Sequence, residues 1–492
     1  MKKTALISEL MEQSGVRFGT SGARGLAADM TDEVCYAYTV AFIRHLEKQK
    51  EISGNDRRVA IAGDLRPSTD RIMASVAKSV TDSGRAPVNC GKLPSPAIAL
   101  YGIKQGVPAI MVTGSHIPDD RNGIKYNKAS GEILKDDEVG IKQQRVTLPD
   151  HFDGKGMFRK PANLGTLEQE AERSYVRRWV EVFPPDCLKG KRLGLYGHSA
   201  VGRDLLYEIY TALGAEVEKL GYTDTFVPVD TEAIRPDDVK LALQWSKEYG
   251  FDAIVSTDGD SDRPLISDEH GNWLRGDIAG ILCAQYCGSD VVVTPVSCNT
   301  AVEKCQTFQE VRRTRIGSPY VIAEMLQAVA TGAKRVVGYE ANGGFLTASP
   351  IQVHGKTLDP LPTRDAVIVH LSILCTSVFK NVPVSQLVAA LPQRFTASDR
   401  LQAFPTETSN AKIAELRKGG SKTIQASFGM LGPVVGIDNT DGLRMTFESG
   451  EVVHLRPSGN APELRCYTEA DSEARAKEIN IIGIRVLETW RD

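Results

Sequence analysis

The chain has 492 residues, 41% of them hydrophobic and 25% charged, with a formal net charge of −3. That length exceeds one ordinary core, and the composition describes a soluble globular protein. The weak charge excludes a global attraction to nucleic acid or acidic lipid, so no nucleic acid and no membrane is expected as a partner, while a phosphorylated small molecule can still bind a local basic pocket.

From the N-terminus, MKKTALISELMEQSG is interrupted by Ser8, Glu9 and Glu12, so it reads as neither a secretory signal nor a membrane span. RFGTSGARG (17–25) is glycine-rich and carries two arginines. Short apolar runs at 57–64, 107–114, 191–197, 251–258, 290–296 and 334–340 read as buried strands, each bounded by polar or glycine-containing segments. Helical patterns lie between them, for example at 69–84 and at 202–214, the second stopping at Gly214. This alternation predicts an α/β fold with mixed, largely parallel sheets. GVPAIMVTGS (106–115) and GFDAIVSTDG (250–259) share the frame Gly-x-x-Ala-Ile-x-x-Thr, and GAKRVVGYEANGG (332–344) is a weaker third relative, which hints at internal duplication. All three run into polar loops, and ligands of parallel sheets collect beyond the carboxyl ends of strands.

Composition shifts at 153–166, 271–277 and 380–387 predict units at 1–165, 166–274, 275–382 and 383–492. A charged helix at 167–183 follows the first shift, and an apolar helix at 363–379 precedes the last. Alternation over 441–459 around Ser449 and Gly450 predicts an antiparallel hairpin, and with it a smaller α+β terminal domain. The nine cysteines are scattered and lack a C-x-x-C pair, which argues against zinc and a disulfide framework and for a reducing, cytoplasmic setting.

Four loops carry candidate chemistry. In DGDSDRP, Asp258, Asp260 and Asp262 alternate and can aim their carboxylates at one hard cation. An EF-hand would use Glu269 as twelfth ligand, but its sixth position needs glycine and holds Arg263. A few carboxylates that leave room for phosphate oxygens favour Mg²⁺; a solvated acidic turn is the bland alternative. In VTGSHIPDDRNGIKYN (112–127), Ser115 reads as a hydrolase nucleophile, a plain polar loop residue or a phosphate carrier. The G-x-S-x-G elbow is missing and His116 is the adjacent residue, which weakens the first. The third needs a cation and basic neighbours, for which Arg121, Lys125 and Arg263 are available. In RPSGNAPELR, Arg456 can grip phosphate with its planar fork, and Ser458 with the backbone at Gly459 and Asn460 can donate further. In GYEANGGF, Glu340 and Asn342 can hydrogen-bond vicinal sugar hydroxyls. HGKT (354–357) lacks the first glycine of a Walker motif, so ATP binding of that kind is not supported.

Taken in chain order, with the arginine-glycine loop at 17–25 first, these loops resemble the α-D-phosphohexomutase family, the phosphoglucomutases and phosphomannomutases, over nearly the whole chain. The resemblance implies four domains around a cleft, three related α/β units and a smaller closing one. It implies that Ser115 is the phosphorylated serine and that Asp258, Asp260, Asp262 and phospho-Ser115 hold Mg²⁺. Lys125 then matches an acid–base lysine whose pKa Arg24 or burial would lower, with His116 as runner-up. Arg24 and Arg263 match active-site arginines, Glu340 and Asn342 the sugar loop, and Arg456, Ser458, Gly459 and Asn460 the loop for the other phosphate. The implied reaction interconverts mannose 6-phosphate and mannose 1-phosphate through a hexose 1,6-bisphosphate, which is also the activator. Glucose phosphate is the alternative substrate, and a sugar-phosphate sensor or an alkaline-phosphatase-type metallohydrolase the rival class. A monomer or homodimer is expected. Departures fall at Asn342, where many members have serine, at Ser318, where several have histidine, and at PVSCNT (295–300), where some carry a lysine.

Overall fold

The structure, a computed structural model, describes residues 3–19, 22–52, 55–458 and 462–491. All six apolar runs form strands, and the central four to six residues of each are buried, as strands covered on both faces must be. One strand order then occurs three times. In the first unit it runs Ala86–Lys92, Arg58–Gly63, Ala109–Val112, Arg121–Lys128. In the second it runs Glu216–Leu220, Arg192–Tyr196, Ala253–Thr257, Pro264–Ile266, and in the third Glu310–Thr314, Val291–Pro295, Val336–Tyr339, Phe345–Thr347. In every copy the first three strands are parallel and the fourth returns antiparallel. The sequence frame of the duplication therefore marks the same third strand each time. The first sheet is extended by Gly22–Leu26, Arg17–Phe18 and Gly131–Glu132.

The helices begin and end where local chemistry dictates. Thr69–Asp82 and Arg203–Ala212 cover the first and second sheets, and Ala366–Lys380 starts at Asp365, whose carboxylate accepts the Val367 N–H. The C-terminal unit is a five-stranded antiparallel sheet in the order Phe395–Leu401, Leu464–Ala470, Val452–Pro457, Leu443–Phe447, Val434–Asp438. The expected hairpin is its Leu443–Phe447 and Val452–Pro457 pair, turning through Gly450 at φ 80°. This unit has its own core around Phe404, Phe428 and Phe447. The short helix Val384–Ala389 packs Val384 and Leu387 into the core that the first three units share. None of the nine cysteines is in a disulfide, and no described helix is long and apolar enough to cross a membrane.

Three histidines buried in the interior make the fold acid-sensitive. Burial lowers His198 and His454 to about 4 and His370 to about 3, and the Tyr210 hydroxyl lies 2.6 Å from Nδ1 of His370. The unfolded chain takes these protons near pH 6.5 while the folded chain refuses them, so stability is full above that value and is lost as pH falls. Each histidine costs about 1.4 kcal/mol per pH unit inside its window. The urea midpoint is expected to drop steadily from pH 6.5 to 4.5; a level midpoint contradicts this account.

Candidate active site

Strand Ala109–Val112 delivers Thr113, Gly114 and Ser115 to the carboxyl edge of its sheet, where Ser115 turns in the left-handed region at φ 57°. Strand Ala253–Thr257 delivers the aspartate loop from the equivalent edge of the second unit. The two loops touch: a Cβ on Gly259 would lie 2.7 Å from the Ser115 carbonyl oxygen, so only glycine allows this approach. The buried Ser115 hydroxyl donates to Asp258 Oδ2 at 2.5 Å.

Asp258, Asp260 and Asp262 are all buried, with one carboxylate oxygen from each within 4.8 Å of the others. Burial, and then the charges of Asp260 and Asp262, push Asp258 well above the usual carboxylate range. Burial opposes ionisation of Asp260 too, but the Lys125 ammonium and its hydrogen bond hold that carboxyl far below its ordinary value. Oδ1 of Asp260 and Oδ1 of Asp262 have no hydrogen-bond partner. Buried, orphaned and all-oxygen, this donor set fits a hard divalent cation. The EF-hand alternative is excluded, because Glu269 is turned away to accept from the Ser385 hydroxyl at 2.5 Å.

Lys125 reaches Asp260 at 2.5 Å and Asp262 at 2.8 Å from the strand that follows the serine loop. The expectation of a lowered Lys125 is overturned. Burial does disfavour the ammonium, yet Asp260 and Asp262 outweigh it and raise Lys125 above its ordinary value. His116 is corrected as well. Burial, then Arg263 and Arg24, lower it to about 2, and Arg263 Nη1 donates to its Nδ1 at 2.9 Å. A neutral ring accepting through Nδ1 carries its proton on Nε2, so it has no lone pair left for a substrate proton. Arg263 also lies 3.9 Å from Asp258 and 3.7 Å from Asp262. Arg24 joins the same electrostatic cluster, lowered to about 10 by burial and Arg263. Arg121 is exposed at the start of its strand and forms no part of it.

Strand Val336–Tyr339 places Glu340 and Asn342 at the third equivalent edge. Asn342 Oδ1 accepts the Gly344 N–H at 2.9 Å, which shapes the loop. Arg364 escaped the sequence reading: buried, it donates to Asp262 Oδ2 at 3.1 Å and to Glu340 Oε2 at 3.2 Å, joining the metal and sugar loops. A cation just before a helix N-terminus runs against the helix dipole, and that anomaly was the available signal. Ser318, one of the departures, donates to the buried Glu132 at 3.2 Å, and Thr363 donates to the same carboxylate at 2.6 Å.

The fourth loop lines a separate cavity of about 210 Å³ with Arg456 and Ser458, joined by Lys135, Arg315 and Arg465. Four cations around so small a space suit a phosphate dianion. Arg456 Nε donates to Asp441 Oδ2 at 2.9 Å, and the same oxygen accepts the Ile316 N–H at 3.0 Å, tying the phosphate loop to the third unit. Gly459 and Asn460 lie outside the described residues. The structure thus brings together Ser115, Lys125, Arg24, His116, Arg263 and the three aspartates, joins Glu340 to them through Arg364, and sets Arg456 and Ser458 in the second pocket.

Residues 15–147 match the family model described as phosphoglucomutase/phosphomannomutase, alpha/beta/alpha domain I; residues 275–395 match its domain III and residues 380–480 its C-terminal domain. A phosphomannomutase of Salmonella muenchen is 44% identical, covering 97% of both chains. One of Sinorhizobium fredii is 43% identical, covering 96% of this chain and 99% of its own. The crystal structure of a phosphoglucomutase/phosphomannomutase family protein from Burkholderia thailandensis superposes with a TM-score of 0.73 at 21% identity, covering 96% of this chain and 97% of that one, and it speaks for the fold.

Proposed function

The chain belongs to the phosphoglucomutase/phosphomannomutase family, and from that membership we propose that it interconverts mannose 6-phosphate and mannose 1-phosphate through a phosphoserine at Ser115. The observation that carries this is Ser115 Oγ held 2.5 Å from Asp258 in a buried aspartate triad, with a cationic phosphate pocket elsewhere. Mannose is favoured over other hexoses because relatives at 44% and 43% identity are phosphomannomutases, while a phosphoglucosamine mutase of Thermotoga neapolitana is 27% identical.

Phospho-Ser115 donates its phosphoryl group to the free sugar hydroxyl, giving a hexose 1,6-bisphosphate, and the hydroxyl proton ends on the departing Ser115 oxygen. The sugar turns, and its other phosphate returns to Ser115. Mg²⁺, held by Asp258, Asp260 and Asp262, supplies charge neutralisation to the phosphoryl oxygens when bound. The Ser115 hydroxyl, hydrogen-bonded to Asp258 Oδ2, attacks the other phosphate on the return step, and its proton ends on the sugar oxygen that leaves. Lys125 enters as an ammonium, able to donate a proton or neutralise the group in flight and unable to accept one. Glu340 accepts from sugar hydroxyls, and Arg456 with Arg315, Lys135 and Arg465 grips the resting phosphate in either orientation. A rival sensor needs no phosphorylatable serine beside a cation site. In a cytoplasmic setting the nine free cysteines stay reduced.

A coupled assay with hexose 1,6-bisphosphate as activator tests the reading. The kcat/KM for mannose 1-phosphate is expected to exceed those for glucose 1-phosphate and glucosamine 1-phosphate by about tenfold or more. A lead for either competitor overturns the substrate, and no turnover with any overturns the enzyme.

A further inference from the structure

Arg66 has no place in the chemistry above, yet every one of its N–H groups is spent beside Ser115. Nε donates to Asp64 Oδ2 at 3.0 Å. Nη1 donates to the carbonyls of Pro118 at 2.6 Å and Arg121 at 3.1 Å, and Nη2 to those of Ser115 at 2.7 Å and Ile117 at 2.6 Å. The side chains of Arg66 and Asp64 are both 0% exposed, and the Phe226 ring of the second unit covers the guanidinium at 4.0 Å. The partner Asp64 reaches the serine from its other side. Thr113 Oγ1 donates to Asp64 Oδ2 at 2.7 Å and accepts the Ser115 N–H at 2.8 Å.

Both peptide groups of Ser115 are therefore pinned, the amide through Thr113 to Asp64 and the carbonyl by Arg66. The pinned residue is the one in the left-handed region, a conformation a serine does not hold unaided. A sealed ion pair is an expensive way to brace a loop when apolar packing would do. Here its donors go to the backbone of residues 115–121, whose carbonyls only a planar five-donor fork can collect. We propose that Asp64, Arg66 and Thr113 are positioning residues that lock the backbone of Ser115, so that its phosphoryl group is aimed at the sugar hydroxyl and away from water. The proposal rests on the phosphoserine reading.

Positioning at this level acts on the reacting geometry and leaves substrate binding alone. Arg66→Lys keeps the charge but offers three donors for five acceptors, and Thr113→Val keeps the shape but cuts the link to the amide. Each is expected to lower kcat by about 10–100-fold with KM within about twofold, and to speed loss of phosphate from isolated phosphoenzyme to water. Thr113→Ser, which restores the hydroxyl, is expected to recover most of what Thr113→Val loses. Should Arg66→Lys fail to fold, the Thr113 pair carries the test. Unchanged kcat and phosphoenzyme lifetime in Thr113→Val, or a rise in KM alone, overturns the proposal. Wild-type protein that never carries phosphate on Ser115 overturns the underlying reading instead, so the two failures are distinct.

Discussion

Ser115→Ala is expected to lower mutase turnover by about 10⁴-fold or more and to abolish the phosphoryl adduct seen in the intact mass of the active protein. The size follows from what the hydroxyl does. The other groups beside the aspartate triad are engaged: His116 is occupied by Arg263, Lys125 is held as an ammonium between two carboxylates, and the Ser95 hydroxyl donates to Asp260. The fold should not suffer. The Ser115 backbone is fixed by Thr113 and Arg66, neither of which uses the hydroxyl, so the variant should bind mannose phosphate with near-normal affinity. Full turnover in Ser115→Ala would remove the phosphoserine route altogether.

Asp258→Asn should separate function from stability. Turnover is expected to fall by about 10³-fold, because the triad loses a charge and the Ser115 hydroxyl loses the oxygen that accepts its hydrogen bond. The metal-free protein, in contrast, is expected to gain about 2 °C or more in Tm, since burial and two like-charged neighbours already disfavour an ionised Asp258. Asparagine preserves the two backbone bonds: its carbonyl can accept the N–H groups of Asp262 and Arg263 now taken by Oδ1, both at 3.2 Å. Added Mg²⁺ should raise the Tm of the parent and leave the variant nearly unmoved. A metal-free variant less stable than the parent would mean that Asp258 is held by contacts this account misses.

The parts of the molecule legible in sequence are those written in contiguous residues. Apolar runs such as 107–114 and 251–258 must be buried, so the strands and the α/β class follow from them. Ser115 and the three aspartates were legible because spacing within a single loop already states their chemistry. Arg364 and Arg66 were not, because their meaning comes from partners 102 and about 50 residues away. Lys125 was found, but its charge state was misread for the same reason: the carboxylates that raise it are 135 and 137 positions further on. The pocket cations Lys135, Arg315 and Arg465 look like ordinary surface charge until the first, third and fourth units meet.

Ser115, Asp258 and Glu340 each stand just past the third strand of the same four-strand pattern. An ancestral unit with one vacant edge, copied twice, would leave each copy free to specialise: one to carry phosphate, one to hold the cation, one to recognise the sugar. Substrate range and reaction are then inherited on separate segments of chain. The departures Asn342 and Ser318 both sit on the third copy, the one that presents the sugar loop.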